Sequence, residues 1–323
     1  MLFSYFEMAL NINAAARPLL EMVYEASPAM LRSLVDQSNN MVSDSWAVVM
    51  QLTSQVMADS HYFRLCVLPT GLSILLFWCL NVPLLFFNFF PTWNPIENWK
   101  IQKGRYETGD RVAWMVLTVL VNQTLAMIIS CCNQNYQGLL DAGVKSGMSA
   151  IPSVGDLLWQ IPACCMLYDA IFFACHCLMH TKWLYHNIHK VHHKSKITIG
   201  ISSAYFHPVD YVFSATAVVL PPILVSDHVL TTCLWMIVFM FETTNAHCGY
   251  EIPFMPSAKD HDFHHSHSFY SSKEYRFVTM GAFALVWDRL FGTKEPVDNW
   301  WAKNPNGITK RMKAPIEKDG KTD

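Results

Sequence analysis

Long apolar runs alternate with short polar connections along the chain, and the runs set the expected architecture. Leu65 to Phe90 carries no charged residue. About 20 apolar residues suffice to cross the hydrocarbon layer, so this stretch predicts a membrane helix. Pro69 and Pro83 lie inside it, as kinks that membrane helices tolerate. Trp93 and Trp99 follow, where interfacial aromatics are expected. Val112 to Cys132 predicts a second helix, interrupted mainly by Asn122 and Gln123, and Leu157 to His180 a third. Tyr211 to Phe241 is apolar but broken by Pro221-Pro222 and Asp227-His228. At about 20 residues per crossing it is too short for two, so a hairpin that dips in and returns is expected. Met30 to Met57 has scattered helical periodicity. It fits either an amphipathic helix on the membrane surface or a helix packed on the main body.

The expected division is an N-terminal extension over 1–60, transmembrane helices over 61–156, a histidine-rich region over 157–293 and a polar tail over 294–323. The fold class this predicts is an all-α integral membrane protein, its transmembrane helices joined to a cytosolic helical metal domain. Composition agrees: 52% of residues are hydrophobic and only 15% charged, too apolar for an ordinary soluble domain. A net charge of −2 argues against nucleic acid as a partner. The ten cysteines sit mostly in or beside apolar runs, as small packing residues rather than a disulfide framework. Met1 to Leu20 lacks the basic start and apolar core of a signal peptide, so targeting is expected from internal membrane segments.

The candidate chemistry is concentrated in three boxes. His189-Lys-Val-His-His193 and His261-Asp-Phe-His-His265 share the form HxxHH, and His176-Cys-Leu-Met-His180 precedes them. Together they hold eight of the fourteen histidines. On α-helices, residues three and four apart share a face, so each box is expected to project its imidazoles from one side. An unpartnered buried polar group costs about 1–3 kcal/mol. Eight would cost on the order of 10–20 kcal/mol, against a net stability of about 5–15 kcal/mol. A metal is the simplest acceptor, and so many ligands imply two ions. The competing readings are three unrelated surface clusters and a structural zinc site, although structural zinc usually takes four ligands, often with cysteine.

Asp169 precedes His176 by two helical turns and is expensive in an apolar run. It is expected to orient a ligand histidine, with Asp262 in a similar role; a capped or interfacial Asp169 is the plainer alternative. Cys175 and Cys177 flank His176. His207 follows two boxes closely, and His247 ends the fourth apolar run. His61, His228 and His267 are read as ordinary structural histidines. Lys182 to Lys196 is basic, which places it, and the metal site, on the cytosolic face.

These boxes and their flanks resemble the sterol desaturase/fatty-acid hydroxylase superfamily, with the methyl-sterol monooxygenase branch as the nearest likeness. The likeness runs from about Trp99 to Thr293. It includes Trp99-Lys-Ile-Gln102, Tyr185 to His193, Phe206-His-Pro208, His247-Cys-Gly-Tyr250, the third box and Trp287-Asp-Arg289. The resemblance implies an endoplasmic-reticulum membrane enzyme with a two-iron centre, molecular oxygen as oxidant and NAD(P)H as ultimate electron source. Carried over by position, the implied ligands are His176, His180, His189, His192, His193, His261, His264 and His265, with His247 and His207 matching further family histidines. His186 stands where relatives often differ. There are two departures: Cys177 replaces a usual arginine, and the phrase after the third box, His267 to Tyr275, is unlike many relatives; the second bears on substrate. The implied reaction is oxidation of an unactivated lipid C–H bond, giving an alcohol or an alkene. The implied substrate is a C-4 methyl sterol, with a fatty acyl or sphingoid chain as the alternative, and a non-catalytic family member as the contrasting class. No flavin, nicotinamide or haem fingerprint is visible, so electrons are expected from a b-type cytochrome and its reductase, docking on the Lys182–Lys196 face.

Overall fold

The computed structural model describes residues 28–56, 60–132, 144–148, 151–267, 280–281 and 286–293. The N-terminal stretch, the phrase after the third box and the polar tail lie outside the described residues. Among the described residues the chain is helical, with two isolated β-bridges and no sheet. In order come α1 (Pro28–Val56), α2 (Leu68–Phe89), α3 (Gly109–Cys131), α4 (Val154–Met179), α5 (Lys182–Asn187), α6 (Pro208–Val225), α7 (Val229–His247), α8 (Lys259–His267) and α9 (Val286–Phe291). A π-helical turn, Phe63–Val67, leads into α2. Helices α2 (with that turn), α3, α4, α6 and α7 are each long and apolar enough to cross a membrane. The chain is an all-α integral membrane protein.

The fourth apolar run differs from expectation. It forms two helices of 18 and 19 residues. At about 1.5 Å per residue each spans about 27 Å, close to the hydrocarbon thickness of about 30 Å. The apolar count fell short because both helices continue through polar residues. Pro208 opens α6, where its fixed φ suits a first turn, and α7 runs on through Glu242, Thr244 and Asn245, all turned inward and buried. The chain does return to the side from which it entered.

Polar contacts define the two ends of the bundle. At one end, where α2, α4 and α7 finish and α3 and α6 begin, lie all three histidine boxes. At the other, Thr70 Oγ1 meets Ser130 Oγ at 2.7 Å and Lys145 N donates to Asp227 O at 2.6 Å. There His228 Nε2 and Trp46 Nε1 both donate to Gly147 O, at 3.0 and 3.2 Å. Trp46, only 3% exposed, therefore anchors α1 on the main body. A capping box starts α4: Ser153 Oγ accepts from Asp156 N at 3.1 Å, and Asp156 Oδ2 accepts from Ser153 N at 2.9 Å. Between the poles, Trp235 is fully buried with Tyr168 and Val218 where α4, α6 and α7 pack.

Candidate metal centre

The last turn of α4 carries His176, and His180 is its C-cap. His261, His264 and His265 lie on α8. The second box departs from expectation: His189–Lys194 is a 3₁₀ helix, not an α-helix. All eight box histidines are buried, and they gather with His247 into two groups. His176, His180, His189, His193 and His264 form one; His192, His247, His261 and His265 form the other. Within each group the candidate ligand atoms lie within 4.8 Å of one another, so each can hold a metal ion.

The expectation that each HxxHH box serves one face is thus corrected. Neighbouring residues on a helix diverge by about 100–120°, so the paired histidines cannot aim at one point. His192 and His193 turn to different groups, and so do His264 and His265. The pairs spaced by four, His176/His180, His189/His193 and His261/His265, stay together.

Hydrogen bonds fix the tautomers. A carbonyl only accepts, so His176 Nδ1 donates to Met280 O at 2.8 Å. His189 Nδ1 donates to Asp210 Oδ2 at 2.7 Å. Each Nε2 is then a bare lone pair, yet the two stand 3.2 Å apart. In the second group His247 Nδ1 donates to Thr243 O at 2.9 Å and His265 Nδ1 to Ser195 O at 3.1 Å. Their bare Nε2 atoms flank His261 Nε2 at 2.8 and 3.1 Å. Protons do not neutralise this crowding. Burial holds His180, His192, His193, His261 and His265 well below the usual 6.5. A cation does: nitrogens about 2.0–2.1 Å from one ion and roughly 100° apart sit about 3.1 Å from each other. Among the described residues both groups are all imidazole, without cysteine or carboxylate.

Among the described hydrogen bonds, the carboxylate that meets a box histidine is Asp210, which the sequence reading missed. Its signal was an acid in the first turn of a Pro-led helix, which does not say what the acid touches. Asp169 is buried, but the partner of His176 Nδ1 is the Met280 carbonyl. Asp262 accepts from Gln102 Nε2 at 3.0 Å and from Thr198 Oγ1 at 2.5 Å. Burial pushes its carboxyl up to about 6. It ties α8 to the Trp99–Gln102 segment, which also pairs with the His247–Tyr250 motif: Ile101 N donates to Gly249 O at 2.9 Å. Gly249 has a φ of 77°, and a β-carbon there would collide with the Thr198 carbonyl, so only glycine permits this approach. Lys196 is also tied in. Its Nζ donates to His265 O at 2.9 Å, and burial lowers it to about 7.

His207 lies outside both groups. It caps α6, its Nδ1 accepting from Val209 N at 3.2 Å. His61, His228 and His267 also lie outside them; His61 Nδ1 contacts Ser146 Oγ at 2.8 Å. His186 is exposed.

One chamber adjoins the second group, and a second lies beside it. One, of about 330 Å³, is lined by His192, His247, His261, Glu242 and Thr243, among others. The other, of about 440 Å³, lies within the bundle between α2, α3, α6 and α7 and reaches His228. They share walls at Ser203, Phe206, Ser214, Val218, Phe239 and Thr243. Among the described residues, a space of about 10 Å³ lies beside His176, His189 and His192.

The Fatty acid hydroxylase family model matches residues 161–293. Methylsterol monooxygenase 2-2 of Arabidopsis thaliana is 34% identical over 179 residues, 52% of this chain and 64% of that protein. The match therefore spans under two thirds of that relative's length. Very-long-chain aldehyde decarbonylase GL1-11 of Oryza sativa subsp. indica is 31% identical over 259 residues, 76% of this chain and 86% of that protein. Fatty acid hydroxylase domain-containing protein 2 of Homo sapiens is 30% identical over 194 residues, 59% of this chain and 58% of its own. No solved structure matches the chain. Three histidine boxes brought together at one end of a membrane bundle, the matching family model and the length of the decarbonylase alignment lead to one conclusion: the chain belongs to the sterol desaturase/fatty acid hydroxylase family.

Proposed function

We propose that this chain is an O2-dependent di-iron oxygenase of the endoplasmic reticulum membrane that hydroxylates a lipid C–H bond, acting as a C-4 methyl sterol oxidase. One observation carries the reading: the bare Nε2 atoms of His176 and His189 face one another at 3.2 Å in one buried all-histidine group, and those of His247 and His265 both crowd His261 Nε2, at 2.8 and 3.1 Å, in the other. The ligands would be the eight box histidines and His247. Bound there, an iron pair would supply oxygen activation and C–H oxidation, chemistry no side chain supplies alone.

The chain's own residues do the rest. Asp210 and the carbonyls of Met280, Thr243 and Ser195 hold the imidazoles in the tautomer that presents Nε2. The chamber beside His192, His247 and His261 admits the lipid. Exposed Lys182, Lys190 and Lys194 suit an acidic b-type cytochrome, which with its reductase would carry electrons from NAD(P)H. The lysines and arginines of this pole support its cytosolic orientation.

The test has two parts. Purified full-length protein is expected to carry two irons per chain by elemental analysis. Cells lacking the chain are expected to accumulate 4-methyl sterols by comparative lipidomics. Protein without transition metal, all histidines intact, would overturn the enzyme reading. A second substrate reading, an acyl-chain lipid, draws on the longer alignment with the aldehyde decarbonylases. An altered acyl-lipid profile with unchanged sterols would favour it. Zinc alone, with no oxygen consumption, would favour a non-catalytic member.

A further inference from the structure

The two chambers lie along α7 and differ in what lines them. From Val229 toward Met240 the helix lines the larger one with apolar side chains, including Met236 and Phe239. From Phe239 to His247 it lines the smaller one, and there Glu242, Thr243 and Asn245 replace them. Glu242 is only 8% exposed and belongs to a helix otherwise apolar enough to cross a membrane. An acidic side chain so placed is costly without a purpose. No described hydrogen bond satisfies its carboxyl, and its remaining surface belongs to the chamber wall. Asp169, 1% exposed on the facing α4, lies within electrostatic reach of it.

Position gives this carboxyl a meaning. Glu242 precedes His247 on α7, a rise of about 7.5 Å, and both line one chamber with His192 and His261. A group held by Glu242 therefore belongs to the same short segment of lipid as the carbon offered to the histidines. A carboxyl accepts a hydrogen bond from a hydroxyl in either protonation state. The larger chamber, apolar and set against the smaller across the shared walls of Phe206, Ser214 and Thr243, suits a hydrocarbon body.

We propose that the chain selects a lipid alcohol: Glu242 receives a hydroxyl close to the carbon presented to His192, His247 and His261, and the apolar chamber takes the hydrocarbon remainder. This rests on the oxygenase reading for which carbon is presented, but its test reads binding alone. Full-length protein in nanodiscs would be titrated with two matched pairs, followed by thermal shift. The pairs are 4,4-dimethylcholestan-3β-ol with 4,4-dimethylcholestane, and octadecan-1-ol with octadecane. Within at least one pair the alcohol is expected to bind about tenfold more tightly, the scale of one hydrogen bond to a buried carboxyl. Glu242→Leu should abolish that preference while the hydrocarbon still binds. Glu242→Gln, which keeps a carbonyl acceptor and controls for folding, should retain most of it. Equal binding within both pairs, or a preference that survives Glu242→Leu, would overturn the proposal. Metal content of the same samples separates the readings. Two irons without alcohol preference sinks this proposal alone, and alcohol preference without metal sinks only the oxygenase reading.

Discussion

The two histidine groups are built from the same side chains but face different surroundings. The first has five imidazoles, a charge-assisted bond from His189 to Asp210, and about 10 Å³ of space beside it. The second has four imidazoles, backbone carbonyls behind His247 and His265, and a chamber of about 330 Å³ in front. A metal site that only holds its ion is closed, whereas one that does chemistry keeps an open position. By that criterion, under the proposed oxygenase reading, the second group would meet the substrate and the first would complete the pair.

The sharpest way to break this comparison is to remove one imidazole from each side. His261→Ala leaves three histidines in the second group, and His264→Ala leaves four in the first. Both are expected to lower lipid oxidation by about 100-fold or more, beyond the 10–100-fold typical of an outer partner. Elemental analysis should show the greater metal loss for His261→Ala; the opposite order would reverse the assignment of the open site. Asp210→Asn comes next. It keeps the shape but removes the charge behind His189, so metal affinity should fall about 10–100-fold, from the first group only. Loss from both groups alike would mean that Asp210 supports the fold rather than one site.

The smallest effect is the pH dependence of the metal-free chain. Burial depresses the buried imidazoles well below 6.5. Below about pH 6.5 the unfolded chain binds protons that the folded chain refuses, so stability falls as pH falls. Asp262, raised to about 6, works in the opposite sense between about pH 4 and 6, but it is outnumbered. The thermal midpoint of apo-protein should therefore drop by several degrees between pH 7 and pH 5. A flat profile would mean that the imidazoles titrate freely and are not enclosed.

Much of this protein was legible in its residues. Uncharged runs of about 20 residues can do little but cross a bilayer as helices, and three of the spans appear close to where the hydrophobic pattern put them. The histidine count and spacing announced metal chemistry, because so many buried lone pairs demand an acceptor. The fourth run was misjudged because Glu242, Thr244 and Asn245 look like an end to a membrane helix. Only packing shows that they turn inward.

Tertiary structure alone decided how the imidazoles are shared. Spacing assigns residues to a helix face, but which face meets which depends on how α4, α8 and the His189–Lys194 turn converge. The same holds for the outer contacts. Asp169 was chosen from sequence because it precedes His176, but the Nδ1 partners seen at His176 and His189 are Met280 and Asp210. Those partners lie 104 and 21 residues away along the chain, and periodicity carries no information about such distant neighbours. Sequence thus determined that the chain is a helical membrane protein rich in metal-binding side chains. The fold decided that they form two groups and that one of them opens on a chamber, because divergence of adjacent side chains becomes a division of labour only when the helices have met.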